Sequence, residues 1–142
     1  MKYKIFRRDE NLGKVLNHVA IDLPAPSNIS YYWNFGSLLL LVLGRQIGRG
    51  LLLAMNYFNS TSTAFGAIDS IGREIWGGWL TRYIHITGAS MYFMFLYFHI
   101  GRGLYYKSFN LVNTWLTGTT ILLLSMARAF LGYVLPWGQM SY

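Results

Sequence analysis

The chain has 142 residues, of which 54% are hydrophobic, 18% aromatic and only 12% charged, with a formal net charge of +7. It holds no cysteine, which excludes internal disulfides, thiolate metal sites and iron–sulfur clusters. Charge is too sparse, and the apolar residues fall in blocks too long, for a soluble domain of this size. The aromatics sit in those blocks and not among the basic residues, so the positive charge does not indicate nucleic-acid binding.

Positions 1–10 carry Lys2, Lys4, Arg7 and Arg8 and read as a solvated tail. Leu12, Val15, Leu16, Val19 and Ala20 then recur with helical spacing, which predicts a short amphipathic helix lying in a membrane interface. Pro24 and Pro26 forbid its continuation. Residues 1–31 are therefore expected as a tail and interfacial helix, and residues 32–142 as an all-α transmembrane domain. Its first span covers about residues 32–55, close to the ~20 residues that cross a bilayer. Residues 56–74, rich in Asn, Ser and Thr, read as a polar loop. The second span, about 75–105, is longer than a bilayer demands and should tilt or project. Lys107 to Asn110 predict a tight turn, and the third span covers about 111–135, ending before Pro136. Basic residues of the N-terminal segment, with Arg102 and Lys107, outweigh Arg73 on the other side, which places the N-terminus inside. Tyr31, Trp33, Trp76, Trp79, Tyr105 and Tyr106 lie at the predicted boundaries, as an aromatic belt does.

His85 and His99 lie fourteen residues apart within the second span. That is nearly four turns, so both share one face, ~21 Å apart along the axis. Glycines repeat the interval on the other two spans: Gly36 with Gly50, and Gly118 with Gly132. A single histidine in a span is as well explained by an interhelical hydrogen bond, and a single glycine by close helix packing. Three matching intervals instead suit a bundle holding two stacked haems, with an imidazole ligand and bare helix surface at each depth. Zinc is disfavoured, because it needs three or four clustered ligands. Arg82 lies three residues before His85 and Arg102 three after His99, each nearer a membrane surface. An arginine there can snorkel to headgroups, but the mirrored pair suits the two propionates of a haem.

Several stretches resemble a known family: Ile21-Asp22-Leu23-Pro24-Ala25-Pro26-Ser27-Asn28, Trp33-Asn34-Phe35-Gly36-Ser37, Gly88-Ala89-Ser90, His99-Ile100-Gly101-Arg102-Gly103 and Gly132-Tyr133-Val134-Leu135-Pro136-Trp137-Gly138-Gln139. They are similar to the cytochrome b family in its animal mitochondrial form, from about residue 12 to the end. The resemblance implies the dihaem, quinone-handling subunit of ubiquinol–cytochrome c reductase, in the mitochondrial inner membrane with its N-terminus in the matrix. It implies two b-type haems as cofactors, ubiquinol and ubiquinone as substrates, and cytochrome c1 and Rieske iron–sulfur subunits as partners. His85 would ligate the outer, low-potential haem and His99 the inner, high-potential one. Gly36, Gly50, Gly118 and Gly132 match haem-facing glycines. Gln46 and Arg82 match positions near the outer haem, and Arg102 a propionate partner of the inner one. Trp33, Asn34 and Ser37 match the inner, quinone-reducing region. Phe130, Tyr133, Pro136 and Trp137, with Gly138, match the edge of the outer, quinol-oxidising site.

The family has eight spans, and the fourth supplies the second histidine for each haem. Three spans are expected here, so the chain reads as an N-terminal fragment carrying part of a haem-binding four-helix bundle. Arg45, Arg49 and Arg128 depart from the family, which has an apolar residue, Ser or Thr, and a small residue at those positions. Several animal mitochondrial codes read AGA and AGG as Ser or Gly, and CGN codons at all three positions would exclude that origin. Neutral residues there would lower the formal charge from +7 to +4. Counted around the first span from Gly50, Arg49 and Arg45 fall off the haem face, while Arg128 lies nearer the face of Gly132. Leu40 and Asn56 also depart from the family, from a glycine and a histidine. A dihaem membrane anchor that only relays electrons for another subunit is the alternative, and a non-redox bundle with proton-relay histidines a second.

Overall fold

The computed structural model describes residues 11–20, 22 and 24–141. The basic tail expected over residues 1–10 lies outside the described residues. The chain divides into two compact units, Met1–Ser30 and Tyr31–Tyr142.

In the first unit, α1 is Asn11–Ala20, where the apolar spacing predicts a helix. The Asp22 N–H donates to the Asn17 carbonyl at 2.9 Å, and the Asn17 side-chain amide donates to the Asp22 carboxylate. These bonds close the helix ahead of the two prolines. Val15 and Lys14 are exposed; the side chains of Leu12, Leu16, Val19 and Ala20 lie outside the described residues.

In the second unit a 3-10 turn at Tyr31–Trp33 leads into α2, Asn34–Met55. At its far end the Asn56 side-chain amide donates to the Leu52 carbonyl at 3.1 Å and the Asn56 N–H to the Leu53 carbonyl at 3.2 Å. Both meet carbonyls that a helix terminus leaves without partners. The segment expected as a polar loop contains a further helix, α3, Ala64–Arg73. Ala64, Ala67 and Ile71 share one face by spacing and all three are buried.

The second predicted span is α4, Gly78–Tyr105. It begins at Gly78 and not at residue 75 because residues 74–77 form a turn in which Gly77 takes φ +69°, a left-handed conformation that glycine adopts without strain. Gly78 itself abuts α3: a Cβ there would strike the Ile71 carbonyl oxygen. After α4, Lys107 takes φ 55° and a 3-10 turn at Ser108–Asn110 leads to α5, Val112–Val134, which stops two residues before Pro136.

α2, α4 and α5 fall inside the three segments read from the sequence as long helices. Tyr31–Met55 and Val112–Val134 are long and apolar enough to cross a membrane. α4 is longer still, at 28 residues, but its Tyr, His, Gly and Arg residues make it less apolar than those two. α2 and α4 pack antiparallel around Val42, Tyr92 and Leu96, with Leu39, Phe93, Phe95 and Ile100 against them. α5 joins through Leu122 beside that cluster and through the Tyr92 and Ser125 hydroxyls, 3.1 Å apart. No residue of α5 is buried. Leu40, Leu41, Leu123, Leu124 and Leu131 are between 61% and 71% exposed, a surface that calls for lipid or other helices as its neighbour.

Candidate functional site

The antiparallel pairing of α2 and α4 matches the two fourteen-residue intervals end for end. A Cβ at Gly50 would lie 3.2 Å from His85 Cε1, and one at Gly36 would lie 3.4 Å from His99 Cε1. Each imidazole is thus seated against a stretch of α2 that has no side chain. Both rings are half-buried, and the Nδ1 of each is buried with no hydrogen-bond partner. The glycines of α5 behave differently: nothing lies within 4 Å of a Cβ at Gly118 or Gly132. That flank of the site is open.

Gln46 fixes the His85 end. Its Nε2 donates to the His85 carbonyl at 2.8 Å, across the α2–α4 seam. The amide reaches that far because Gly88 leaves room; a Cβ there would come within 2.5 Å of Gln46 Oε1. Gly88 stands in a motif of the sequence, but its part as the seat of Gln46 shows only when the two helices are paired. Gln46 Oε1 remains buried without a partner.

At the other end, the Arg102 guanidinium lies 5.0 Å over the Trp33 ring, and that ring meets Tyr106 edge-on at 4.7 Å. Arg102 Nε is buried without a partner. Ser37 donates its hydroxyl to the Asn34 carbonyl at 2.9 Å, and both residues are exposed in the first turn of α2. Trp33, Asn34, Ser37 and Arg102 therefore gather near His99. Arg82 is half-buried on the first turns of α4. Arg49 directly precedes Gly50, on which His85 is seated, and Arg102 follows His99 by three residues. Arg49, which helical counting puts off the site's face, nonetheless has a terminal guanidinium nitrogen buried. Its long side chain overrides the angle of its Cα. Arg45 is exposed along a groove with Leu38, Leu41, Val42, Met91 and Phe95.

The residues expected at a quinol site lie at the far end of α5. Phe130 and Tyr133 are exposed, Pro136 and Gly138 half-buried, and Trp137 takes φ 50°. Two contacts shape this end: the Tyr57 hydroxyl donates to the Leu135 carbonyl, and the Ser141 hydroxyl to the Val134 carbonyl at 2.6 Å. Tyr57 carries no signal in the sequence, because its partner is a backbone atom 78 positions away.

The donor set fits a haem. Two imidazoles are each held beside a helix surface stripped to backbone, and each has a ring nitrogen without a partner. A buried nitrogen without a partner is costly and marks a place for one. The described residues contain no cluster of three His, Asp or Glu for a metal without a macrocycle.

A model of the family Cytochrome b/b6/petB matches residues 20–142. The chain belongs to the cytochrome b family. Among solved structures it is similar to a chain titled "Hyperthermophilic respiratory Complex III", with 34% identity, a TM-score of 0.82 and 91% of this chain covered. The match covers 33% of that structure's chain, so these residues span about a third of its length. Membership in the cytochrome b family, with two helices apolar enough to cross a bilayer, makes this a membrane protein.

Proposed function

We propose that this chain is part of the electron-transfer subunit of a respiratory ubiquinol–cytochrome c reductase, working beside cytochrome c1 and a Rieske iron–sulfur subunit in the mitochondrial inner membrane. The observation that carries the reading is the pair of glycine-seated imidazoles, at 3.2 and 3.4 Å, one at each end of the α2–α4 seam. α2, α4 and α5 act as three spans of a bundle whose next span supplies a second histidine for each haem. α1 lies in the interface on the matrix side, with the basic N-terminus.

His85 holds the outer haem and His99 the inner one. Bound there, the haems supply reversible one-electron transfer between the two faces of the membrane. The chain's own work is positional. Gly36 and Gly50 keep α2 flat against the imidazoles, and Gly118 and Gly132 leave the α5 flank open for the macrocycles. Gln46, braced over Gly88, pins the α4 backbone at His85. Arg102 and Arg82 offer guanidinium groups to propionates, Arg102 held in place by stacking on Trp33. Apolar side chains exclude water from the cofactors.

Phe130, Tyr133, Pro136 and Trp137 form the edge of the outer, quinol-oxidising site, and Trp33, Asn34 and Ser37 that of the inner, quinone-reducing one. Quinol oxidation outside releases protons there, and quinone reduction inside takes them up.

The test uses the purified respiratory complex containing this chain. It should bind two b haems per copy, by haemochrome assay, and oxidise quinol in an inhibitor-sensitive manner. Two haems without inhibitor-sensitive quinol oxidation would favour a relay-only membrane anchor, and no haem at all would contradict both.

A further inference from the structure

The charges of the helical unit do not balance. The sequence has no Asp or Glu between residues 23 and 68, and none after residue 74. Yet α2, α4 and α5 carry Arg45, Arg49, Arg82, Arg102 and Arg128. The ion pair among the described residues, Arg73 Nε with Asp69 Oδ1 at 2.9 Å, lies on α3. An arginine within a span is costly and marks a functional place, usually facing the interior or a cavity.

Two of these arginines stand near the level of His85. Arg49 directly precedes Gly50, the residue on which His85 is seated, and a terminal nitrogen of its guanidinium is buried with no partner. Arg128 stands on α5 one turn before Gly132, beside which the structure is open. Tyr92 meets Ser125 and a Cβ at Gly103 would lie 3.2 Å from Trp115, so α5 runs antiparallel to α4 and Arg128 falls near the level of His85. Arg102, by contrast, lies one turn beyond His99, at the other end of α4.

We propose that Arg49 and Arg128 form a cationic pair that holds the reduction potential of the haem at His85 more positive than its ligation alone would set. The inference rests on the haem reading above. Taking up one electron makes the bound group one unit more negative, so fixed cations nearby favour its reduced form, most strongly in a medium of low dielectric constant. The haem at His99 lies ~21 Å further along α4 and feels the pair weakly.

Potentiometric titration of the two b-type components in the intact complex tests this. Arg49→Gln and Arg128→Gln should each lower the midpoint of the His85 component. The expected shift is about tenfold in the reduced-to-oxidised ratio at a fixed potential, or ~59 mV for a one-electron centre. The His99 component should stay in place, and Arg49→Lys, which keeps the charge, should retain the original midpoint. An unmoved His85 midpoint in the double variant, equal shifts of both components, or Arg49→Lys behaving as Arg49→Gln overturns the proposal. So does peptide mass mapping that finds a neutral residue at position 49 or 128. If the unsubstituted complex shows no component that is lost on substituting His85, the haem reading itself fails.

Discussion

At Gly50 a single methyl group separates a seated imidazole from a packing fault. A Cβ there would press on the imidazole of His85 at 3.2 Å, closer than ordinary contact, while at Gly36 the approach to His99 is 3.4 Å. Alanine in place of glycine also favours the helix by about 1 kcal/mol, against the 1–3 kcal/mol that overpacking typically costs. Gly50→Ala should therefore change thermal stability little but displace the His85 ring, lowering its haem occupancy several-fold in difference spectra. Gly36→Ala should have the milder effect on His99, and equal losses at both positions would contradict this ordering. Gly88 poses a harder conflict, because its new Cβ would meet Gln46 Oε1 at 2.5 Å and break the 2.8 Å hydrogen bond to the His85 carbonyl. Gly88→Ala should destabilise by about 1–3 kcal/mol, read as a lower midpoint for thermal loss of the haem spectrum. The histidine and glycine intervals are legible in the sequence because helical period is a property of one chain segment at a time. The part of Gly88, and the burial of the Arg49 guanidinium, depend on which helix stands opposite, which periodicity does not encode.

Among the elements, α3 is the one the sequence hides. Its buried apolar face is three residues, Ala64, Ala67 and Ile71, two of them small, inside a segment rich in Asn, Ser and Thr. Those small side chains are what let α3 lie against the first turn of α4, where Gly78 meets the Ile71 carbonyl oxygen. Since that neighbour is backbone and cannot rotate aside, Gly78→Ala should separate α3 from α4. Faster proteolysis between residues 56 and 77, with both haem signals retained, is the expected result; unchanged cleavage would mean that α3 does not depend on this contact. α2 and α5, by contrast, are announced by long apolar blocks with a proline or a polar turn at their ends, and their observed ranges lie within three residues of the predicted ones. α4 is legible by its bounds but not by apolarity, since the residues that make it chemically useful also make it less lipid-like.

For the whole molecule, the limiting fact is how little of it is self-contained. The cluster around Val42, Tyr92 and Leu96 is small, α5 buries none of its residues, and large apolar side chains cover the surface. Hydrophobic stabilisation follows the area removed from water, so these exposed apolar faces call for lipid or other helices as neighbours. The order and helical nature of α1, α2, α4 and α5 could be read from patterning alone, whereas the open space beside Gly118 and Gly132 could not, because it is defined by what α5 does not touch. The central claim is that two imidazoles on α4, each seated on a glycine of α2, hold two separate haems. It is tested most directly by spectroscopy of the intact complex after His85→Ala and His99→Ala. Each substitution should remove one b-type component and leave the other; retention of both components after the two substitutions together would contradict the account.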